Sequence, residues 1–228
     1  VKRKVNIEQL KQMIANKDSD IAGVDVSEIK DMFNLFEDSD FGGSWTADLS
    51  GWDTSSVTDM SNMFDGCTNL KEVSLPHTEN VTNMNGMFWG CTNLKEVSLP
   101  HTENVTNMYG MFWGCEELTK VELPHTENVT SMGDMFNGCT NLKEVSLPHT
   151  ENVTSMYDMF RGCTNLEEVS LPHTENVTSM YGMFYGCRNL LQDFSSWDIT
   201  NVIKKGVMFK GCAKMEQAKN LYPKGYEQ

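Results

Sequence analysis

Three sets of side chains in this chain have types and spacings that bear on chemistry. The first is His77-Thr78-Glu79-Asn80, which returns as His101, His125, His149 and His173, each two residues before Glu103, Glu127, Glu151 and Glu175. Imidazole beside carboxylate is the material of transition-metal sites. Each copy offers one histidine, so a tetrahedral site would borrow ligands from adjacent copies, and a turn motif repeated in every unit is the simpler reading; no metal and no cofactor is expected. A stacked row of imidazoles would resist joint protonation, which predicts weakening of the array at mildly acidic pH. The second set is seven cysteines. Cys67, Cys91, Cys115, Cys139, Cys163 and Cys187 recur every 24 residues and Cys212 follows after 25. An odd count sharing one inward direction reads as buried free thiols, not as disulfides.

The third set stands where otherwise near-identical copies differ. One column runs Asn85, Tyr109, Gly133, Tyr157, Tyr181, and a second, four residues on, runs Trp89, Trp113, Asn137, Arg161, Tyr185. Gly86, Gly110, Asp134, Asp158 and Gly182 vary beside them. Tyrosine, tryptophan, arginine, asparagine and glycine are the vocabulary of recognition surfaces. The expected contact set is therefore Asn85, Trp89, Tyr109, Trp113, Asn137, Tyr157, Asp158, Arg161, Tyr181 and Tyr185, facing a protein or glycan partner. Two other readings compete. Drift after tandem duplication would also bring in lysine, glutamate, alanine and threonine, which are scarce here. Self-stacking of the rings would stabilise the array instead of binding anything.

Catalysis finds no support: there is no phosphate-cradling glycine loop, no G-x-S-x-G elbow and no H-E-x-x-H. Each unit also reads Asn-Val-Thr, at Asn80, Asn104, Asn128, Asn152 and Asn176. This is a glycosylation acceptor pattern on a eukaryotic secretory route, and otherwise a hydrogen-bonding corner. Lys71, Lys95 and Lys143 beside Glu72, Glu96 and Glu144 read as a solvated face, and as the rival location for a partner.

What must position these residues is one 24-residue unit used five times without a gap, from Cys67 to Gly186. Such a unit buries its apolar side only against its neighbours, so the fold expected is a stacked solenoid. Leu70, Val73 and Leu75 give a short strand closed by Pro76. Val81 returns to the core, and Met84, Met87, Phe88 and Cys91 fall at the spacing of a short α or 3-10 turn, with Asn83 as its cap and Gly90 as its stop. Residues 1–17 read as a capping helix, with an Asn6/Gln9 capping box and an Ile7, Leu10, Ile14 stripe. Glu37–Ser44 reads as a loop and 213–221 as a closing helix, while Lys205, where other units place methionine, suggests a polar outer layer. The expected organisation is a cap and divergent repeat over 1–48, an array over 49–212 and a C-terminal cap over 213–228.

The pattern L-x-x-V-x-L-P…V-T-x-M-x-x-M-F-x-G-C-T-N-L resembles the BspA-like leucine-rich repeats of bacterial and protist surface proteins. The ends, L-S-G-W-D-T-S-S-V-T-D-M at 49–60 and F-S-S-W-D-I-T-N-V at 194–202, resemble mycoplasma-type lipoprotein repeats. The resemblance implies an α/β leucine-rich-repeat solenoid of short parallel strands and short helices, and a non-catalytic recognition or adhesion role at the cell surface or outside the cell. A structural spacer without a ligand is the alternative. The near-identity of the copies equally fits a consensus-engineered array. With 32 acidic against 18 basic residues, the net charge of −14 disfavours nucleic acid and anionic membranes, no apolar run is long enough to insert, and a monomer is expected. A start at Val1 fits a mature form or an excised fragment, so the lack of a secretory signal does not fix the location.

Overall fold

The computed structural model describes residues 2–39 and 45–227, and at 45–47 the backbone alone. Positions 40–44 of the loop expected at Glu37–Ser44 lie outside the described residues. Each unit makes one coil. Its strand is short because apolar and polar residues alternate for only a few positions before proline removes the next donor. In β3 (Glu96–Ser98), for example, Val97 is buried between two exposed neighbours. With β1 (Trp45–Asp48), β2 (Leu70–Ser74), β4 (Lys120–Glu122), β5 (Glu144–Ser146) and β6 (Glu168–Ser170), it forms the parallel pairs β1–β2, β3–β4 and β5–β6. Equivalent residues face each other, Val97 on Val121 and Val145 on Val169.

The unbroken ladder runs elsewhere in the coil. Parallel bridges join Asp31, Asp59, Asn83, Asn107, Ser131, Ser155, Ser179 and Lys204 in series. Beyond each bridge the amides alternate in use. Those of Met84, Gly86, Phe88 and Gly90 donate to Asn107, Tyr109, Met111 and Trp113 of the next coil, while those of Met87, Trp89 and Cys91 close turns onto Met84, Gly86 and Phe88. The solenoid of leucine-rich-repeat type stands, with one local difference: a chain of β-turns replaces the short helix expected at 84–91. A helix would turn every amide inward along its own axis, whereas here half of them serve the neighbouring coil. Gly86 and Gly90, at φ +59° and +69°, occupy the left-handed third positions that such turns require. Asn83 caps no helix; its Oδ1 accepts the amide of Asn85 at 3.2 Å.

Identical coils in register produce ladders of identical side chains. Phe36, Phe64, Phe88, Phe112, Phe136, Phe160, Phe184 and Phe209 stack with ring centroids 5.1 to 5.6 Å apart, all fully buried. All seven cysteines are buried and free. Each thiol donates to the phenylalanine carbonyl of the preceding coil, Cys91 to Phe64 and Cys115 to Phe88 at 3.1 Å. Burial pushes the Cys67 thiol up to about 12 and the deeper ones further.

Both ends of the stack are covered. Helix α1 (Ile7–Ala15) carries the expected capping box and buries Leu10, Met13 and Ile14. Trp52 packs on Phe36 and donates its indole N–H to the Ile21 carbonyl at 3.0 Å. At the other end α2 (Ala213–Gln217) and a 3-10 turn at Lys219–Leu221 replace the single closing helix. Tyr222 stacks on Phe209 at 4.6 Å and ends the phenylalanine column. The closing surface is thus aromatic beneath its polar exterior.

Candidate functional site

The His-Thr-Glu-Asn corners are built for cohesion between coils. Thr78, Thr102, Thr126 and Thr150 are buried and donate to the carbonyls of His101, His125, His149 and His173 in the next coil. Asn104, Asn128 and Asn152 donate to the carbonyls of Glu79, Glu103 and Glu127 at 2.7 Å. The threonine of each Asn-Val-Thr donates one coil back as well, Thr106 to Thr82 and Thr130 to Thr106. Each histidine meets the glutamate two residues on, and two of them also reach the glutamate of the preceding coil. His125 meets Glu127 through Nδ1 at 3.3 Å and Glu103 through Nε2 at 3.9 Å, and His173 lies likewise between Glu175 and Glu151. Among the described residues no three ligand-type side chains converge.

The variable columns occupy the outer side of the turn chain. Tyr109, Trp113, Tyr157 and Tyr181 are 38, 36, 40 and 40% exposed. Asn85, Trp89, Asn137, Arg161 and Tyr185 are half-buried among them. The rings lean along the solenoid axis. Trp89 meets Trp113 edge to face, Tyr157 stacks on Tyr181 at 5.8 Å, and the Arg161 guanidinium lies 4.5 Å above the Tyr185 ring. Tyr109 reaches across Gly133 and its hydroxyl donates to Asp134 Oδ2 at 2.8 Å, while Asn137 donates to Oδ1 at 2.8 Å. Burial and that carboxylate raise the Tyr109 hydroxyl to about 12.

The third varying column has a backbone explanation. Asn34, Asn62, Gly86, Gly110, Asp134, Asp158 and Gly182 all have φ between +47° and +62°, where only glycine, asparagine and aspartate sit comfortably. Asp158, expected as a contact residue, is 4% exposed and lies beneath the stripe, where Arg161 Nη1 reaches its Oδ2 at 3.3 Å. Its Oδ1 fills the space above Gly182, where a Cβ would lie 2.0 Å away. Its place is to hold Arg161 from below.

Alongside the rings runs a groove of about 550 Å³ lined by Tyr109, Tyr157, Tyr181, Thr154, Thr178, Ser155, Ser179 and Lys204. A cleft of about 600 Å³ lies at the N-terminal cap, between Lys4–Gln9 and Glu28–Asp31, bordered by the Lys4–Glu28 ion pair. It belongs to the joint between cap and first coil and includes none of the variable positions. Phe33, 48% exposed, was missed by the sequence reading. It occupies the column of Asn85, as alignment of D-M-F-N-L-F at 31–36 with D-M-S-N-M-F at 59–64 could have revealed. On the strand face Lys120 pairs with Glu122 at 2.7 Å, and the exposed positions are charged or small.

The model of a family described as "Mycoplasma protein of unknown function, DUF285" matches residues 5–122 and 117–222. No curated protein matches the chain. Among solved structures, a leucine-rich repeat protein from Eubacterium ventriosum is similar at 21% identity and a TM-score of 0.58. The match covers 82% of this chain and 46% of that protein, so this chain spans less than half the length of that relative. The leucine-rich repeat protein of T. pallidum is similar at 21% identity and a TM-score of 0.55, over 90% of this chain and 83% of that one. These likenesses establish the leucine-rich-repeat fold.

Proposed function

The chain belongs to the DUF285 family, and on that footing we propose that it is a non-enzymatic recognition or adhesion scaffold, secreted or at the cell surface, whose array at 49–212 between two caps presents the aromatic stripe to a macromolecular partner. The observation that carries this reading is four aromatic rings held 36–40% exposed on a rigid turn ladder, next to a groove edged with hydroxyls. Large, rigid, amphipathic rings contribute contact area at little entropic cost. A protein surface suits them better than a glycan, because Tyr157 and Tyr181 cover each other's faces and present edges. The same stacking favours a second reading, a spacer whose rings only brace the coils.

The test is capture of surface proteins and glycans by the intact chain and by a variant with Trp89, Tyr109, Trp113, Tyr157, Arg161 and Tyr185 changed to alanine. Selective loss of a partner by a folded variant supports recognition. Equal capture by both chains removes the stripe from consideration.

A further inference from the structure

We infer that Asp134 and Asp158 are positioning residues for recognition, which hold the middle of the stripe in a fixed shape at a cost in stability; this rests on the stripe being a contact surface. The backbone does not ask for aspartate there. In all five regular units the amide at this place donates to the carbonyl one coil on, at 2.9 Å from Gly86 and Gly110, 2.7 Å from Asp134, 2.9 Å from Asp158 and 3.0 Å from Gly182. The φ angle stays between +47° and +62° throughout. Glycine adopts that conformation without strain, and Gly86, Gly110 and Gly182 do so here.

Aspartate brings a carboxylate into a place that is 8% exposed at Asp134 and 4% at Asp158. An enclosed carboxylate destabilises unless donors match its oxygens. Asp134 has two donors, the Tyr109 hydroxyl and the Asn137 amide, both at 2.8 Å. Asp158 accepts from Arg161, and its Oδ1 is buried without a hydrogen bond. All three donors are variable residues of the stripe, and none belongs to the apolar seam. The two carboxylates stand in successive coils, and their influence reaches the rings beside them. Asp134 adds to burial in raising the Tyr109 hydroxyl to about 12, and the charge of Asp158 is the chief cause that raises the Tyr157 hydroxyl. The groove opens along these same coils, walled by Tyr109, Tyr157 and Tyr181. Where glycine takes the place, a ring settles onto the backbone instead: a Cβ on Gly110 would lie 2.8 Å from Trp89. Aspartate fills that space and ties its neighbours at fixed points. A surface ordered before its partner arrives loses less entropy on binding, so the two buried charges serve the surface at the expense of the scaffold.

Asp134→Gly and Asp158→Gly in the full chain test this by denaturant unfolding, tyrosine titration followed by carbon-13 NMR, and the capture comparison with the six-alanine variant. Each glycine variant is expected to keep or raise the unfolding midpoint. In Asp134→Gly the Tyr109 hydroxyl should fall from about 12 toward its ordinary value of 10, and in Asp158→Gly that of Tyr157 should fall. Both variants should capture about tenfold less of the partner that the six-alanine variant loses. Asp134→Asn tolerates the same backbone and still accepts from Tyr109, so it should recover most of that capture. A midpoint lowered in either glycine variant overturns the proposal by making the aspartate part of the scaffold. Unmoved titrations overturn it too, and so does undiminished capture of a partner that the six-alanine variant loses. Capture by the six-alanine variant equal to that of the wild type removes the recognition reading itself, and this proposal with it.

Discussion

The buried thiols show how single residues are chosen by the stack. A position shared by every coil needs a small side chain that fills a seam and donates weakly to a carbonyl, which alanine cannot do and serine would do with a hydroxyl less at ease in an apolar seam. With Cys67 pushed up to about 12 and the deeper thiols higher still, the native chain should leave a thiol reagent unreacted at neutral pH and show all seven cysteines once unfolded. Rapid native labelling would contradict the ladder. Val207 occupies the left-handed column at φ +52°, where a β-branched residue is strained. Val207→Gly is expected to stabilise by about 1 kcal/mol in denaturant titration, relief of strain outweighing the added chain entropy. Carboxylates define the acid limit. Glu103 and Glu151 are held below the ordinary value by their own backbone amides, with the flanking histidines adding, and Asp48 and Asp53 by Ser50 and Ser55. A carboxyl depressed by folding stabilises above its unfolded value and loses that contribution as pH falls through the folded one. Thermal midpoints should therefore fall steeply as pH drops below about 4.

At the level of elements, the free edge of the strand array is closed by a side chain. Gln192 accepts the Val169 amide at 2.9 Å and donates to the Val169 carbonyl at 2.8 Å, standing in for the strand that would follow β6. Such an edge would otherwise recruit another chain. Gln192→Ala should cost about 1 kcal/mol and expose that edge, seen as a lower denaturation midpoint and faster exchange at Val169. The strands, the capping box and the apolar positions were legible from alternation and period, because those signals live in side-chain type. The turn chain at 84–91 was not. Met84, Met87, Phe88 and Cys91 satisfy a helical spacing equally well, and what decides against a helix is the neighbouring coil, whose carbonyls take every second amide. The glycine and aspartate at 86, 110, 134, 158 and 182 carried the missing clue, since a column restricted to residues tolerant of positive φ marks a backbone demand. Phe33 escaped for a related reason, its coil being four residues out of phase with the regular array.

Across the whole molecule, cohesion and the proposed recognition fall on different surfaces of the same coil. The phenylalanine column, the thiols and the threonine and asparagine corners bind coil to coil, and the varied residues ride outside them. Phe112, stacked between Phe88 and Phe136, belongs wholly to the first group, so Phe112→Ala should cost about 3–5 kcal/mol. The two aromatic pairs within the stripe, at about 0.5–1.5 kcal/mol each, together come to about 1–3 kcal/mol, no more than the low end of that one core residue. Unfolding by denaturant of the wild-type chain, the six-alanine stripe variant and Phe112→Ala measures this division directly. The stripe variant is expected to keep its cooperative transition and to lose less stability than the single core substitution. A stripe variant that unfolds before Phe112→Ala would make the aromatic rings part of the scaffold and end their claim to be its contact surface.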